Sequence, residues 1–543
     1  MLSTMQDQPL TITQILRHGS TVHGEAQVAT WTGTEARRRS YAEVGRRAAR
    51  LAWALRGLGV TGDERVGTLM WNNAEHLEAY LAVPSMGAVL HTLNLRLAPN
   101  QLAYVINHAE DQVILVDGSV LPLLTAIEPL LTTVRHIVVV GTGDASALAG
   151  SGRTVHDYEE LLAAQPDEFD WPELDERSAA AMCYTSGTTG DPKGVAYSHR
   201  STYLHSMQIN TAESFGLSWS DIVLPVVPMF HANAWGLAYA AFMCGASMLM
   251  PDRYLQPAPL AAMIAAEQPT VAGAVPTIWS GLLDELDARP VDVSSLDRVV
   301  VGGSACPPAL MRAFQERHQV TILHAWGMTE TSPLGAVAHP PARVSEEDAW
   351  AYRYTQGRFP CGVRARLIGP DGSVMPHDGD SVGELEVRGP WVAAAYYLDQ
   401  DAEKFDDGWL RTGDVATISA DGYLTLTDRA KDVIKSGGEW ISSVDLENNL
   451  MAHPSVAEAA VIAVPDPQWS ERPLATVVLR EGATAGVEEL RDFLAERVPR
   501  WQVPERWAII AEVPKTSVGK FDKKRLRARY ADGELDVLTI GRG

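Results

Sequence analysis

Short apolar runs recur along the first half of the chain, with stretches of helical length between them, and this alternation constrains the fold more than any other feature. From Gly45 to Gly57 the string GRRAARLAWALRG sets Ala48, Leu51, Ala52 and Leu55 on one stripe with arginines opposite, which predicts an amphipathic helix. RVGTLMW (Arg65 to Trp71) reads as a strand and NNAEHLEAYLAVPSMG as the helix after it. VILV (Val113 to Val116) and HIVVV (His136 to Val140) are further strands, and the rhythm returns at RVVVGG (Arg298 to Gly303), a helix opening near Pro307, and VTILHAWG. Runs that are apolar throughout belong to strands covered on both faces, so the pattern implies βαβ units around a buried, largely parallel sheet.

Past residue 360 the pattern changes. LIGPDGS (Leu367 to Ser373), GELEVRG (Gly383 to Gly389) and DGYLTLTD (Asp421 to Asp428) are short strands separated by turn residues, a β-rich module. Then follow a helix (Ser443 to His453), two strands (Ala459 to Val464 and Ala475 to Leu479) and a helix (Val487 to Val498), a compact α+β unit. The main boundary falls at Asp428 to Asp432, giving an α/β N-terminal domain of stacked subdomains plus the β-rich module over 1–428, a hinge over 429–432 and a small α+β domain over 433–543. A chain of 543 residues exceeds the size at which one core stops growing, about 250–300 residues.

The net charge of −23 sets a repulsive average field against polyanions, which disfavours a general nucleic-acid or anionic-membrane role. Cys183, Cys244, Cys306 and Cys361 lie far apart with no CxxC pair, so neither a zinc ribbon nor a disulfide framework is indicated. The N-terminus has no basic end leading into an apolar stretch, and no apolar run approaches the roughly 20 residues of a spanning helix. A cytoplasmic protein without integral membrane association is the expectation.

The most informative stretch is YTSGTTGDPKGV, Tyr184 to Val195. Its glycines and hydroxyl residues follow the apolar run AAAMC, so Thr185, Ser186, Gly187, Thr188, Thr189 and Gly190 can wrap N–H and O–H groups around a polyphosphate, with Lys193 supplying charge. It lacks the GK[ST] ending of a Walker A loop. This string resembles the phosphate-loop signature of the adenylate-forming superfamily, which contains acyl-CoA synthetases, amino-acid adenylation domains and beetle luciferases. Further motifs similar to that family's follow in its order: VVPMFHANAW (Val226 to Trp235), GGSA (Gly302 to Ala305), AWGMTETSP (Ala325 to Pro333), RTGD (Arg411 to Asp414), DRAKDVIKSGGEWIS (Asp428 to Ser442) and PKTSVGK (Pro514 to Lys520).

The resemblance implies ATP-dependent activation of a small carboxylic acid as its acyl-adenylate, then transfer to coenzyme A, with Mg²⁺ as cofactor. It implies a nucleotide site that includes Gly303, Ser304, Ala305, Trp326, Gly327, Met328 and Thr329, in which the aromatic face of Trp326 and the backbone of Gly302 to Ala305 could form the adenine slot. Glu330 with Thr185 would hold the metal, Asp414 would accept the ribose hydroxyls, and Arg429 would join the nucleotide set. Lys520 is the expected catalytic cation, offsetting the repulsion between carboxylate and α-phosphate and the charge that builds on phosphorus. His231 resembles the histidine or aromatic that borders the carboxylate, and Lys431 the hinge. The acyl pocket would include His231, Trp235, Gly302, Trp326, Pro333 and Trp440, the last matching a gate to the fatty-acid tunnel of long-chain enzymes.

Amino-acid-activating relatives carry an aspartate where this chain has His231, so an ammonium would lack its partner. The resemblance is nearest to bacterial medium- and long-chain fatty acyl-CoA synthetases, in MGAVLHTLNLRL (Met86 to Leu97) and KSGGEWISSVDLEN (Lys435 to Asn448), and AWGMTETSP is also similar to ligases for 3-methylmercaptopropionate. Chain length stays open between a fatty acid and such a short acid. Long-chain relatives imply a homodimer. An adenylate-binding paralogue without turnover and a luciferase-like monooxygenase are the alternatives, and retention of Lys193, Glu330, Asp414, Arg429 and Lys520 argues for the ligase.

Overall fold

The computed structural model describes all residues except 149, 151, 186–190, 370, 430, 431, 437, 438, 517–519 and 541–543, and leaves out the side chains of 429, 439 and 440. The expected residues Ser186, Gly187, Thr188, Thr189, Gly190 and Lys431, and the side chains of Arg429 and Trp440, therefore lie outside the described residues.

The predicted amphipathic helix spans Tyr41–Gly57 and begins earlier than its apolar stripe, because the Ser40 hydroxyl accepts the Glu43 N–H and caps it. Ala48, Leu51, Ala52 and Leu55 are all buried, as the stripe requires. Strands Arg65–Leu69, Val89–Thr92, Asp111–Asp117, His136–Val140 and Ala179–Tyr184 form most of a 7-stranded sheet, parallel except where Gly194–Ser198 returns against Ala179–Tyr184. A second sheet of 15 strands runs through Val271–Ala274, Arg298–Val301 and Thr321–Gly327, which pair in parallel. The β-rich module is continuous with this sheet. Its strands Arg364–Ile368, Gly383–Arg388, Trp409–Ile418 and Tyr423–Arg429 join that same sheet through the short strands Gly357–Arg358 and Leu334–Val337. Turn residues mark where strands end and carry no information on which existing edge the strands extend.

Strand Ala36–Ser40, sequence ARRRS, has no apolar pattern and pairs antiparallel with Gln27–Trp31. Its arginines are held by acids on the helix Ala74–Ser85: Arg37 to Glu75 at 2.6 Å, and Arg39 to Glu78 at 2.5 Å. Glu78 is fully buried and also takes Arg47 at 2.8 Å. A buried carboxylate needs such paired partners to offset its desolvation.

The small C-terminal domain packs helices Ser443–Met451 and Val487–Ala495 around the antiparallel pair Val456–Asp466 and Ser470–Leu479. No helix among the described residues is long and apolar enough to cross a membrane.

Candidate active site

Where the two domains meet, strand ends and turns of the large domain enclose a cleft of about 1080 Å³, which Lys515, Thr516 and Lys520 to Lys524 of the small domain also line. Its size exceeds the ordinary small-ligand pocket of about 300–1,000 Å³, leaving room for a nucleotide and a second substrate. Thr185, Lys193, His231, Trp235, Gly302, Gly303, Ser304, Ala305, Trp326, Gly327, Met328, Thr329, Glu330, Pro333, Asp414 and Lys520 all line it. Residues scattered over most of the sequence are thus brought to one place.

The phosphate-loop region is pinched at its base. Thr185 N–H donates to the Lys193 carbonyl at 2.9 Å, and Lys193 N–H donates to Thr185 Oγ1 at 3.1 Å, which closes the loop between the strands Ala179–Tyr184 and Gly194–Ser198. The Lys193 ammonium pairs with Asp401 and stands 5.4 Å from the centre of the Tyr396 ring. Tyr396 in turn donates its hydroxyl to Glu330 Oε1. Burial, then the adjacent Glu330, raises the Tyr396 phenol above its usual pKa, so it stays a donor at neutral pH. Glu330 sits on the single turn Thr329–Thr331 after strand Thr321–Gly327 and is 5 % exposed. The sequence contains no local sign of Tyr396 or Asp401 as members of the site, because each meets its partner only through the fold.

The indole of Trp326 was expected to wall the adenine slot. In the structure its N–H donates to Asp414 Oδ2 at 2.8 Å, so the ring also aims the carboxylate expected to meet the ribose. The Asp414 main-chain N–H donates to Thr412 Oγ1 at 3.1 Å. Gly303 has φ +84, a conformation in which a side chain is strained, and a methyl group there would lie 3.4 Å from Lys520 Cε. Lys520 Cε accordingly lies beside Gly303. Its own turn is closed by Thr516 N–H donating to the Lys520 carbonyl at 2.7 Å and Lys520 N–H donating to Thr516 Oγ1 at 3.2 Å.

The acyl side is built differently. Ala232, Asn233, Ala234, Trp235 and Gly236 have φ of 42, 51, 52, 57 and 76, a continuous left-handed turn, and all five are buried. Each non-glycine residue there costs about 1–2 kcal/mol, so the turn persists only because its surroundings hold it. Among those holding it, Cys183 Sγ and the Tyr80 hydroxyl reach Asn233 Oδ1 at 3.2 and 3.4 Å. The turn lays Trp235 against the glycines of two neighbouring strands: methyl groups at Gly273 and Gly302 would meet its ring at 3.7 and 3.8 Å. Burial, then the cations Lys520 and Arg96, pushes the His231 imidazole down to about 3. It is neutral at physiological pH, and the switching use that an ordinary histidine pKa would permit is not available here.

The arrangement holds cations (Lys193, Lys520) where a polyphosphate and a carboxylate can meet, a carboxylate (Glu330) suited to a metal on those phosphates, and a second carboxylate (Asp414) fixed for a diol. That combination is suited to joining a carboxylate to a nucleotide α-phosphate.

Comparison with known proteins points the same way. The model for AMP-binding enzymes matches residues 16–397, and that for the AMP-binding enzyme C-terminal domain matches 445–520. A 3-methylmercaptopropionyl-CoA ligase of Ruegeria pomeroyi is 47% identical, over 99% of this chain and 100% of its own length. A medium-chain-fatty-acid–CoA ligase of Ectopseudomonas oleovorans is 44% identical, over 98% of each chain. The crystal structure of the anthranilate CoA ligase AuaEII in complex with anthranoyl-AMP superposes with a TM-score of 0.88 at 26% identity, covering 98% of this chain and 100% of that one. The chain belongs to the AMP-binding enzymes of the adenylate-forming superfamily, and within them it is an AMP-forming acyl-CoA ligase.

Proposed function

We propose that the acid is an unbranched, apolar carboxylic acid, a medium- or long-chain fatty acid, activated as its adenylate with release of pyrophosphate and then passed to CoA with release of AMP. The observation that carries this reading is the character of the acyl side: Phe215, Ala232, Trp235, Pro333 and Leu334 line it, and His231 beside them is neutral. An ammonium or a second carboxylate on the substrate would find no opposite charge in that set. A short acid such as 3-methylmercaptopropionate is the second reading, favoured by Trp235, whose buried ring takes up space beside Gly273 and Gly302. The names of the relatives support both readings. The test is CoA-dependent AMP formation across saturated acids from acetate to palmitate, with 3-methylmercaptopropionate and cinnamate. A maximum at six carbons or more supports the fatty acid, a maximum at the thioether acid supports the short-acid reading, and a maximum at cinnamate overturns both.

Within this reading Lys520 bridges carboxylate and α-phosphate, and Lys193 with residues 185–190 cradles the outer phosphates. Glu330 and Thr185 present a carboxylate and a hydroxyl oxygen to the same cleft, a donor set that fits Mg²⁺ shared with ATP phosphates. When bound, that ion neutralises polyphosphate charge. Arg429 and Trp440 keep the nucleotide and gating roles that the resemblance implies, and Lys431 is the hinge about which 433–543 turns relative to 1–428 between half-reactions. A cytoplasmic homodimer completes the proposal.

A further inference from the structure

The basic stretch after Lys520 has the composition of a solvated helical face, but Lys523 does not behave as part of one: its side chain is 11% exposed. Its ammonium lies 2.7 Å from Glu447 Oε1 and donates to Ser443 Oγ at 2.5 Å. Ser443, fully buried, donates its hydroxyl to Asp428 Oδ2 at 2.5 Å and its main-chain N–H to the same oxygen at 2.7 Å. A second link runs parallel, from the Ser442 hydroxyl to the Thr427 carbonyl.

The covalent positions of these groups decide what the chain of bonds does. Thr427 and Asp428 end the strand Tyr423–Arg429, which belongs to the sheet of the large domain. Ser443 opens the helix Ser443–Met451 of the small domain, and Glu447 lies one turn further on. The Asp428 carboxylate therefore caps the positive end of a helix that belongs to the other domain. Lys523 opens the helix Lys523–Ala531, whose cap Asp522 accepts Arg525 N–H at 3.0 Å, and Lys520 lies three residues before it. The ammonium–hydroxyl–carboxylate series thus ties the segment that carries Lys520 to the large domain across the connection. Arg527 adds a pairing with Asp432 on the same side.

We propose that Lys523, through Ser443 and Asp428, is the positioning residue for Lys520 in the adenylation half-reaction. The Asp428–Ser443 link, the member of this series that crosses between domains, must break together with the parallel Ser442–Thr427 bond for the small domain to turn. The Lys523–Glu447–Ser443 cluster travels with the small domain unchanged. This rests on the two-step reading given above. It explains why four buried polar groups are spent where apolar packing would be cheaper: a bonded series has one geometry, whereas an apolar contact tolerates sliding.

The experiment separates the half-reactions in Lys523→Met, Lys523→Arg, Ser443→Ala and Asp428→Asn, with melting curves on each. Acid-dependent exchange of labelled pyrophosphate into ATP reports adenylation, and conversion of supplied acyl-adenylate to acyl-CoA reports the second step. Lys523→Met should lower the exchange kcat roughly 10- to 100-fold, on the scale of a small misplacement of a reacting group, with KM for ATP moved less than about threefold and the second step within about twofold. Lys523→Arg should recover most of the loss. Ser443→Ala and Asp428→Asn, which are milder, should shift the ratio of the two rates toward thioester formation by about fivefold or more. Should Lys523→Met fail to fold, these two decide the matter. Equal loss of both half-reactions in the folded variants, or unchanged exchange, overturns the proposal. Absence of exchange in the wild-type enzyme with every acid would instead overturn the two-step reading on which it rests.

Discussion

Glu330 and His231 both line the cleft, with different neighbours. Glu330 takes a hydrogen bond from the Tyr396 hydroxyl and lines a cleft that Lys193 and Lys520 also line. Glu330→Gln keeps the shape and the acceptor but removes the charge, so adenylation should fall about tenfold or more and the Mg²⁺ concentration for half-maximal rate should rise. A Mg²⁺ titration identical to wild type would take Glu330 out of the metal's shell. His231 works uncharged. Its pKa in the folded chain is about 3 and in the unfolded chain about 6.5, so on falling pH the unfolded state binds the proton first. The stability due to His231 is therefore present in full above pH 6.5 and lost as pH falls toward 3, about 2 kcal/mol of it by pH 5. His231→Gln should narrow the gap in unfolding free energy between pH 7.5 and 5 by roughly that amount while leaving the pH–rate profile between pH 6 and 9 unaltered in shape. A shifted acidic limb in that profile would show that His231 titrates during turnover.

Among the elements, those legible in the sequence are the ones whose pattern is local. HIVVV is a strand over His136–Val140 and the Ala48–Leu55 stripe is a helix because period alone determines which face is buried. ARRRS over Ala36–Ser40 escapes that logic, since its arginines are satisfied by Glu75 and Glu78 on a helix distant in sequence. The same holds for the site. The glycine- and hydroxyl-rich motifs point to the cleft because their composition already describes what they bind, whereas Tyr396 and Asp401 meet Glu330 and Lys193 only after folding. The left-handed turn Ala232 to Gly236 is the least legible, for only Gly236 among its residues suits that backbone intrinsically. Gly236 is also the position with no spare room: a Cβ there would lie 2.5 Å from His205 Cε1. His205 is itself committed, its Nε2 accepting the Leu334 N–H at 3.1 Å. Gly236→Ala should thus cost about 2 kcal/mol or more in denaturant unfolding, from backbone strain plus overpacking, and should change relative rates among acids through displacement of Trp235. A variant with wild-type stability would mean that the turn relaxes freely.

At the scale of the whole molecule, the cleft is lined from both domains, and the polar links between them among the described residues include an exposed ion pair and hydrogen bonds beside the connection. The exposed Arg480–Asp284 pair crosses between them at 3.0 Å, and pairs of that kind contribute about 0–1 kcal/mol. Beside the connection, Ser443 bonds Asp428 through its hydroxyl and its N–H, and the Ser442 hydroxyl bonds the Thr427 carbonyl. In the proposed mechanism such a joint suits an arrangement that is left between the half-reactions. Lys520 reaches the cleft from the small domain, and in the proposed mechanism its charge has a task only while carboxylate and α-phosphate are being forced together; once pyrophosphate has gone, a cation at that point would stabilise nothing that changes. Lys520→Ala should therefore reduce acid-dependent pyrophosphate exchange by about two orders of magnitude or more, while supplied acyl-adenylate still becomes acyl-CoA at close to the wild-type rate. Lys431→Pro acts at the proposed hinge, where proline holds φ near −65° and removes an N–H. If adenylation uses a backbone compatible with that value and the second step does not, this variant should spare exchange and slow thioester formation, the mirror image of Lys520→Ala. Measuring both rates in both variants gives a two-by-two comparison in which stability losses alone would lower all rates of a variant together. Crossed losses support rotation about 429–432 between half-reactions; proportional losses in both variants would mean that one fixed arrangement of the domains serves both steps, with Lys520 held over the cleft throughout.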